Sequence, residues 1–260
     1  MTQVYTANAK INVFLKLIGR KENGYHLIVS RFLLIESLCD KLWFEKAGRN
    51  GFEVIGDFGC APSSNTIVRA MNALGNLYPS KKLFDFASAH RVVVYKQIPS
   101  GAGLGGASSD AATFLRMINE HARLRLDKEA LMKVGLEVGA DVPFFISGET
   151  SANVRGVGEE IEPFDDKPID VELKLIPICC ETPKVYRSFR QHFSDQMSLN
   201  ANLADRLAMM SSIEALRSFY PEELNDLLLP ALKSYPELFE FREEGWFFSG
   251  SGSSFFRIRQ

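Results

Sequence analysis

Short apolar runs separated by turn residues open the chain. Val13-Phe14-Leu15-Lys16-Leu17, Arg31-Phe32-Leu33-Leu34-Ile35-Glu36 and Lys41-Leu42-Trp43-Phe44-Glu45 each read as a strand, with Gly24 and Asp40 as dividers. The period then changes. Ile67, Met71, Leu74 and Tyr78 stand at i, i+4, i+7 and i+11, a buried helical stripe that Ser64 or Asn65 can cap and that ends near Pro79. A strand over residues 90–97 leads into a glycine-rich loop. Behind it Ala111, Ala112, Leu115 and Ile118 mark a helix, with Ser108 or Ser109 as its cap. A second helix runs from about Asp127 to Val138 and stops at Gly139, so that Ala140-Asp141-Val142-Pro143-Phe144-Phe145 sets one acid in an apolar turn.

Between residues 149 and 166 the chain turns polar, and Gly148, Gly156, Gly158, Pro163 and Pro168 mark the expected domain boundary near residue 160. The spacing therefore predicts two domains, 1–160 and 161–260. In the second, residues 170–178 read as a strand and Thr182-Pro183 as the N-cap and first residue of a helix. Two further helical segments lead to Trp246-Phe247-Phe248. The stretch from Ser249 to Ser254 is a small-residue turn feeding a last strand.

Composition narrows the class without naming it. With 46% hydrophobic and 24% charged residues over 260 positions, the chain can bury a full core. Its net charge of -2, with basic residues scattered, predicts neither a nucleic-acid footprint nor a membrane patch. Cys39, Cys60, Cys179 and Cys180 form no C-x-x-C pair and read as reduced, buried thiols. No leader pattern opens the chain and no apolar run approaches the ~18 residues that span a bilayer, so a cytoplasmic protein is expected.

The loop, Pro99-Ser100-Gly101-Ala102-Gly103-Leu104-Gly105-Gly106-Ala107-Ser108-Ser109-Asp110, carries the chemistry. Glycines let backbone N–H groups close on an anion, and the following helix presents unpaired N–H groups and the positive end of its dipole. A P-loop requires Gly-Lys, and the chain has none. Gly101-x-Gly103-x-x-Gly106 matches a dinucleotide fingerprint, but the acid expected about 20 residues on, Asp127, opens a helix instead of ending a strand. Backbone donors together with the Ser108 and Ser109 hydroxyls suit a triphosphate with its metal ion.

This loop resembles the phosphate-binding motif of the GHMP small-molecule kinases. Ala9-Lys10-Ile11-Asn12-Val13, Asn23-Gly24-Tyr25-His26-Leu27 and Gly139-Ala140-Asp141-Val142-Pro143 are similar to motifs of the branch whose substrate carries a cytidine diphosphate group. Lesser matches are Gly156-Val157-Gly158-Glu159, Thr182-Pro183-x-Val185-Tyr186, Asn225-Asp226 and Ser249-Gly250-Ser251-Gly252. Ala107 departs from the pattern, standing where that branch often has glycine.

The resemblance implies an α+β fold of two domains with the active site in the cleft between them. The N-terminal α/β domain would carry helices laid over its sheet, and the C-terminal one would be a ferredoxin-like sandwich. It implies transfer of a phosphoryl group from ATP, accompanied by Mg2+, to a hydroxyl of a cytidine-diphosphate-linked polyol in isoprenoid precursor synthesis. Asp141 would then activate the hydroxyl, Lys10 align the pair, and residues 99–109 hold ATP. Asn12, Tyr25, His26, Thr182 and Tyr186 would bind the substrate. No dense carboxylate cluster marks a metal site, and its ligands stay unassigned. A monomer or homodimer is expected.

From the residues alone, Lys10 is equally a strand-edge charge, Asp141 a turn residue capping the next segment, and Tyr25 and His26 ordinary loop residues. His90, His121 and His192 show no partner spacing and read as structural. The alternatives are a homoserine- or mevalonate-type kinase, a dinucleotide-dependent oxidoreductase built on Gly101, Gly103 and Gly106, and a non-catalytic binding module.

Overall fold

A computed structural model describes residues 2–48, 51–59 and 61–259. The elements in chain order are β1 (Tyr5–Arg20), β2 (His26–Lys46), β3 (Glu53–Ile55), α1 (Thr66–Leu77), α2 (Lys81–Ala89), β4 (His90–Tyr95), α3 (Gly106–His121), α4 (Lys128–Val138) and α5 (Val142–Ser147). There follow β5 (Ser151–Arg155), β6 (Glu160–Pro163), β7 (Val171–Lys174), α6 (Thr182–His192), α7 (Met197–Met209), α8 (Ser212–Ser218), α9 (Pro221–Leu224), α10 (Leu228–Ser234), β8 (Phe247–Phe248) and β9 (Phe255–Ile258). Contacts divide the chain into two units that interleave in sequence. One takes Met1–Ala9, Ile35–Ser100 and Gly105–Gly148; the other takes Lys10–Leu34, Gly101–Leu104 and Glu149–Gln260. Residues 1–160 thus contribute to both.

In the first unit the later half of β2 pairs antiparallel with β4, from Lys41 opposite Tyr95 to Lys46 opposite His90, and β3 runs parallel to β4. The two strands expected on either side of Asp40 are one continuous strand. Asp40 is no turn residue: it is fully buried, and its Oδ1 accepts the N–H groups of Gln97 (2.5 Å) and Ile98 (2.8 Å). A buried carboxylate with backbone partners is satisfied inside a strand, where its residue type alone suggests a break.

Helix α1 follows its spacing. Ile67, Met71 and Leu74 are buried, and Asn65 is the cap, accepting the Ile67 N–H at 2.8 Å. Asp127 caps α4 in the same way through Ala130 N. α3 begins earlier than expected: Gly105, in left-handed conformation, is its N-cap, which puts Ser108 and Ser109 inside the first turn. Helix α2 escaped the sequence reading. Its buried residues are only Leu83 and Ala87, too sparse a stripe to stand out.

In the second unit β5 pairs antiparallel with β2, from Ser30 opposite Val154 to Leu33 opposite Ser151, and β6 pairs with β5. A separate antiparallel sheet has the order β7-β9-β8. β7 covers only part of the stretch 170–178. Thr182 is the first residue of α6 and Glu181 its cap, one position earlier than the sequence suggests, and among the described residues four α-helices rather than two lie between α6 and β8.

Arg31 on β2 is wholly buried. Its guanidinium lies 3.3 Å from the centre of the Phe164 ring and donates to Asn153 Oδ1, Asp166 Oδ2 and the carbonyls of Ala208 and Met210. Burial lowers its pKa to about 10 even against the opposing pull of Asp166.

The thiol expectation needs correction: Cys180 is buried, Cys39 half-buried and Cys179 exposed, all free, while Cys60 lies outside the described residues. Among the described residues no helix is long and apolar enough to cross a membrane.

Candidate active site

The glycine loop alternates handedness. Gly101, Gly103 and Gly105 have φ of +65°, +74° and +70°, which turns successive peptide groups to opposite sides. Gly103 has a second reason to be glycine. A Cβ there would overlap the Ser249 carbonyl oxygen and stand 3.0 Å from Gly252 N and O. The tail 249–254 is therefore pressed backbone to backbone on residues 101–104, with Ser253 N donating to Gly101 O (3.1 Å) and Ser254 N to Ala102 O (3.0 Å).

The start of β1 joins the same group. Lys10 N donates to Leu104 O at 2.9 Å, and the Lys10 ammonium, 3% exposed, donates to Asn12 Oδ1 at 2.6 Å and lies 4.5 Å from the Phe32 ring centre. Asn12 is fixed in turn. Its Nδ2 donates to Ser30 Oγ (2.9 Å) and its N–H to Ser249 Oγ (3.3 Å), while Ser249 Oγ donates to Gly103 O (3.0 Å). Lys10 and Asn12 share one strand face, as i and i+2 must. Lys10 is thereby buried beside the backbone of the glycine loop, which removes its reading as a solubilising edge residue.

Nearby in the same unit, Asn23-Gly24 makes the expected turn, with Gly24 at φ +91° and Lys21 N donating to Tyr25 O. His26 leaves it buried, its ring 5.2 Å from Tyr186 and 5.8 Å from Phe189. Burial lowers its pKa first, and Arg190 and Arg20 lower it further, so the imidazole is uncharged at neutral pH. Its Nε2 is buried and has no partner among the described residues. A buried polar atom of this kind is open to a hydrogen bond from outside the protein. Thr182 Oγ1 meets Ser251 Oγ at 2.8 Å, which ties α6 to the tail. Tyr25 is not part of this cluster; its side chain is exposed.

In the first unit, α3 starts at the end of the loop. Gly106 packs so closely on Ile98 that a Cβ would meet Ile98 Cγ2 at 2.7 Å, and Thr66 Oγ1 donates to Ala107 O at 2.7 Å. Ser100 Oγ donates to Phe58 O. Phe58 in turn lines a cavity of about 860 Å3, with Phe52, Val54, Ser63, Asn65 and Val68. Asp141, half-buried, stands at the N-cap position of α5 with φ −81° and ψ −14°, and its side chain makes no cap bond to that helix. The turn that carries it is close to α3: a Cβ on Gly139 would sit 3.8 Å from Ser108 Oγ.

The cavity and the tail are what spacing could not place. The tail showed in the sequence only as small residues and a lesser motif match, and the cavity walls carry no motif. Among the described residues no group of three or more His, Cys, Asp or Glu could hold a metal ion. His90 stacks on Phe86 at 4.0 Å and His121 lies 5.9 Å from Tyr5, both structural settings.

Comparison with known proteins gives the family. Residues 65–149 match the family described as GHMP kinases N terminal domain. A 4-diphosphocytidyl-2-C-methyl-D-erythritol kinase of Sulfurimonas denitrificans (strain ATCC 33889 / DSM 1251) is 44% identical over 99% of this chain and 97% of its own. One of Campylobacter jejuni subsp. jejuni serotype O:6 (strain 81116 / NCTC 11828) is 39% identical over 97% of this chain and 98% of its own. A crystal structure of 4-(cytidine 5'-diphospho)-2C-methyl-D-erythritol kinase superposes with TM-score 0.72 at 30% identity, covering 99% of this chain and 90% of that one. A mevalonate kinase structure shares the fold alone, with TM-score 0.67 at 11% identity over 99% of this chain and 91% of that one.

Proposed function

The chain belongs to the GHMP kinases, and within them to the 4-diphosphocytidyl-2-C-methyl-D-erythritol kinases; from this we propose that it transfers the γ-phosphoryl group of ATP to the 2-hydroxyl of 4-diphosphocytidyl-2-C-methyl-D-erythritol. This is a step of non-mevalonate isoprenoid precursor synthesis. Full-length similarity to enzymes of that name carries the reading. It favours this acceptor over homoserine or mevalonate, whose kinases share only the fold, and over dinucleotide chemistry.

Phosphoryl transfer is mostly positioning and charge neutralisation. Residues 99–109 hold the phosphates through backbone N–H groups and the hydroxyls of Ser108 and Ser109. The cavity beside Ser100 is large and apolar enough for the nucleoside. Mg2+ comes with ATP as part of the substrate. The ion supplies charge bridging, and the protein supplies alignment.

Asp141 takes the proton as the 2-oxygen forms its bond to phosphorus and the bond to the bridging oxygen of ADP breaks. Lys10, held by Asn12 at the loop, aligns the reacting pair and offsets its negative charge. His26 presents an uncharged ring nitrogen to the edge of cytosine, with Tyr186 beside it, while Thr182 at the start of α6 and the exposed Tyr25 of the turn complete the set that binds the substrate. The enzyme needs neither nucleic acid nor membrane for this, and acts as a monomer or homodimer in the cytosol, where its free thiols stay reduced.

The test is ADP release with the cytidine substrate, comparing the intact protein with Asp141→Ala. Loss of the general base lowers kcat by about 100-fold or more. Equal rates would remove Asp141 from its role, and no release with the intact protein would remove the substrate.

A further inference from the structure

The glycine loop leaves the chain at Ile98 and returns to it in the first turns of α3, and both ends are tied to one buried ionic group. Asp40 Oδ1 holds the Gln97 and Ile98 amides, and Lys96 donates both to Asp40 Oδ2 and, at 2.7 Å, to Asp110 Oδ2. The side chains of Asp40, Lys96 and Asp110 are 0%, 12% and 2% exposed. Asp110 lies on α3 directly after Ser109. Its second oxygen, Oδ1, is buried with no partner among the described residues.

We propose that the Asp40–Lys96–Asp110 group is the positioning device of the phosphate loop, and that ATP binds preferentially when Asp110 carries a proton on Oδ1. The inference rests on the reading of residues 99–109 as the ATP loop. Two carboxylates and one ammonium leave one uncompensated negative charge under the loop, in the early turns of the helix whose positive end faces the phosphates. That charge opposes a polyanionic ligand. A proton taken from solvent makes the group neutral, while Oδ2 keeps its bond to Lys96 and the loop keeps both anchors.

Burial raises the Asp110 pKa to about 7, Asp40 adds to the rise and Lys96 opposes it, so the proton is exchangeable at physiological pH. The charged groups acting on this carboxyl are Asp40 on β2 and Lys96 just after β4. Helices α1, α4 and α5 also pack on α3.

ATP bound beside this group raises the Asp110 pKa further, so binding takes up a proton, and affinity falls as pH rises through about 7. KM for ATP at saturating Mg2+ should rise severalfold between pH 6.5 and 8.5, with kcat not following it. Asp110→Asn, which is neutral and still accepts from Lys96, should flatten the KM profile.

The direct measurement is calorimetry of ADP binding with saturating Mg2+ in two buffers of different ionisation enthalpy. Phosphate ionises near pH 6 and is fully charged above pH 7.5, so proton uptake there comes from the protein. Uptake by the intact protein, absent in Asp110→Asn, supports the assignment. Binding without uptake, or equal uptake in both proteins, overturns it, and the intact protein alone decides should the variant fail to fold. No ADP binding at all would instead overturn the reading of the loop.

Discussion

Gly103→Ala separates two demands that the structure places on one residue. The first is conformational: φ of +74° is left-handed, at about 1–2 kcal/mol for a residue with a Cβ. The second is steric, because the new Cβ overlaps the Ser249 carbonyl oxygen and stands 3.0 Å from Gly252 N and O, all backbone atoms that no rotamer change moves away. Gly148 supplies the control. Its φ is +81° with nothing within 4 Å of a Cβ, so Gly148→Ala meets only the first demand, partly offset by the reduced entropy of the unfolded chain. Net destabilisation there should be about 1 kcal/mol, or roughly 2–4 °C in Tm.

At Gly103 the overlap adds about 1–3 kcal/mol of packing strain, for a fall of roughly 5–15 °C. Relieving it moves the loop or the tail by on the order of 1 Å, which for a group positioned for phosphoryl transfer lowers kcat/KM by about 100-fold. Thermal unfolding and steady-state kinetics of both variants decide the matter. If Gly103→Ala unfolds with Gly148→Ala and retains kcat/KM within about threefold of the parent, the contact between tail and loop does not position the site.

Two further outcomes are expected. His26→Phe keeps the ring packed on Tyr186 and Phe189 but deletes the unpartnered Nε2, so KM for the cytidine substrate should rise about 5- to 100-fold with KM for ATP unchanged; equal effects on both substrates would show a structural role. The intact protein's kcat/KM for that substrate should be flat with respect to His26 above the ordinary histidine range and fall only in acid, because the pKa of His26 is lowered. Arg31→Met leaves Asp166, 1% exposed, buried without its cation and should destabilise the protein by about 3–5 kcal/mol, a Tm loss of roughly 6–20 °C. A loss under about 3 °C would mean that the Phe164 and carbonyl contacts are dispensable.

By itself the sequence determined what short spacing can encode. The apolar period specified α1, α4, β4 and the apolar stretches of β1 and β2, while β5 and β6 lay hidden in the stretch that reads as a polar boundary; Asn65 and Asp127 announced their helices, and the glycine string with its serines pointed to a phosphate ligand. Those signals are local, because capping, left-handed glycine and amphipathic burial each act within a few residues. The tertiary structure decided everything that depends on residues far apart in the chain. Asp40 reads as a turn until Gln97 and Ile98 are brought to it; the stretch from Ser249 reads as a small-residue turn until it lies on Gly103; His26 reads as a loop residue until α6 delivers Tyr186. Burial converts such polar residues from exposed turn-formers into obligatory partners, and burial belongs to the packed chain, not to any stretch of its letters.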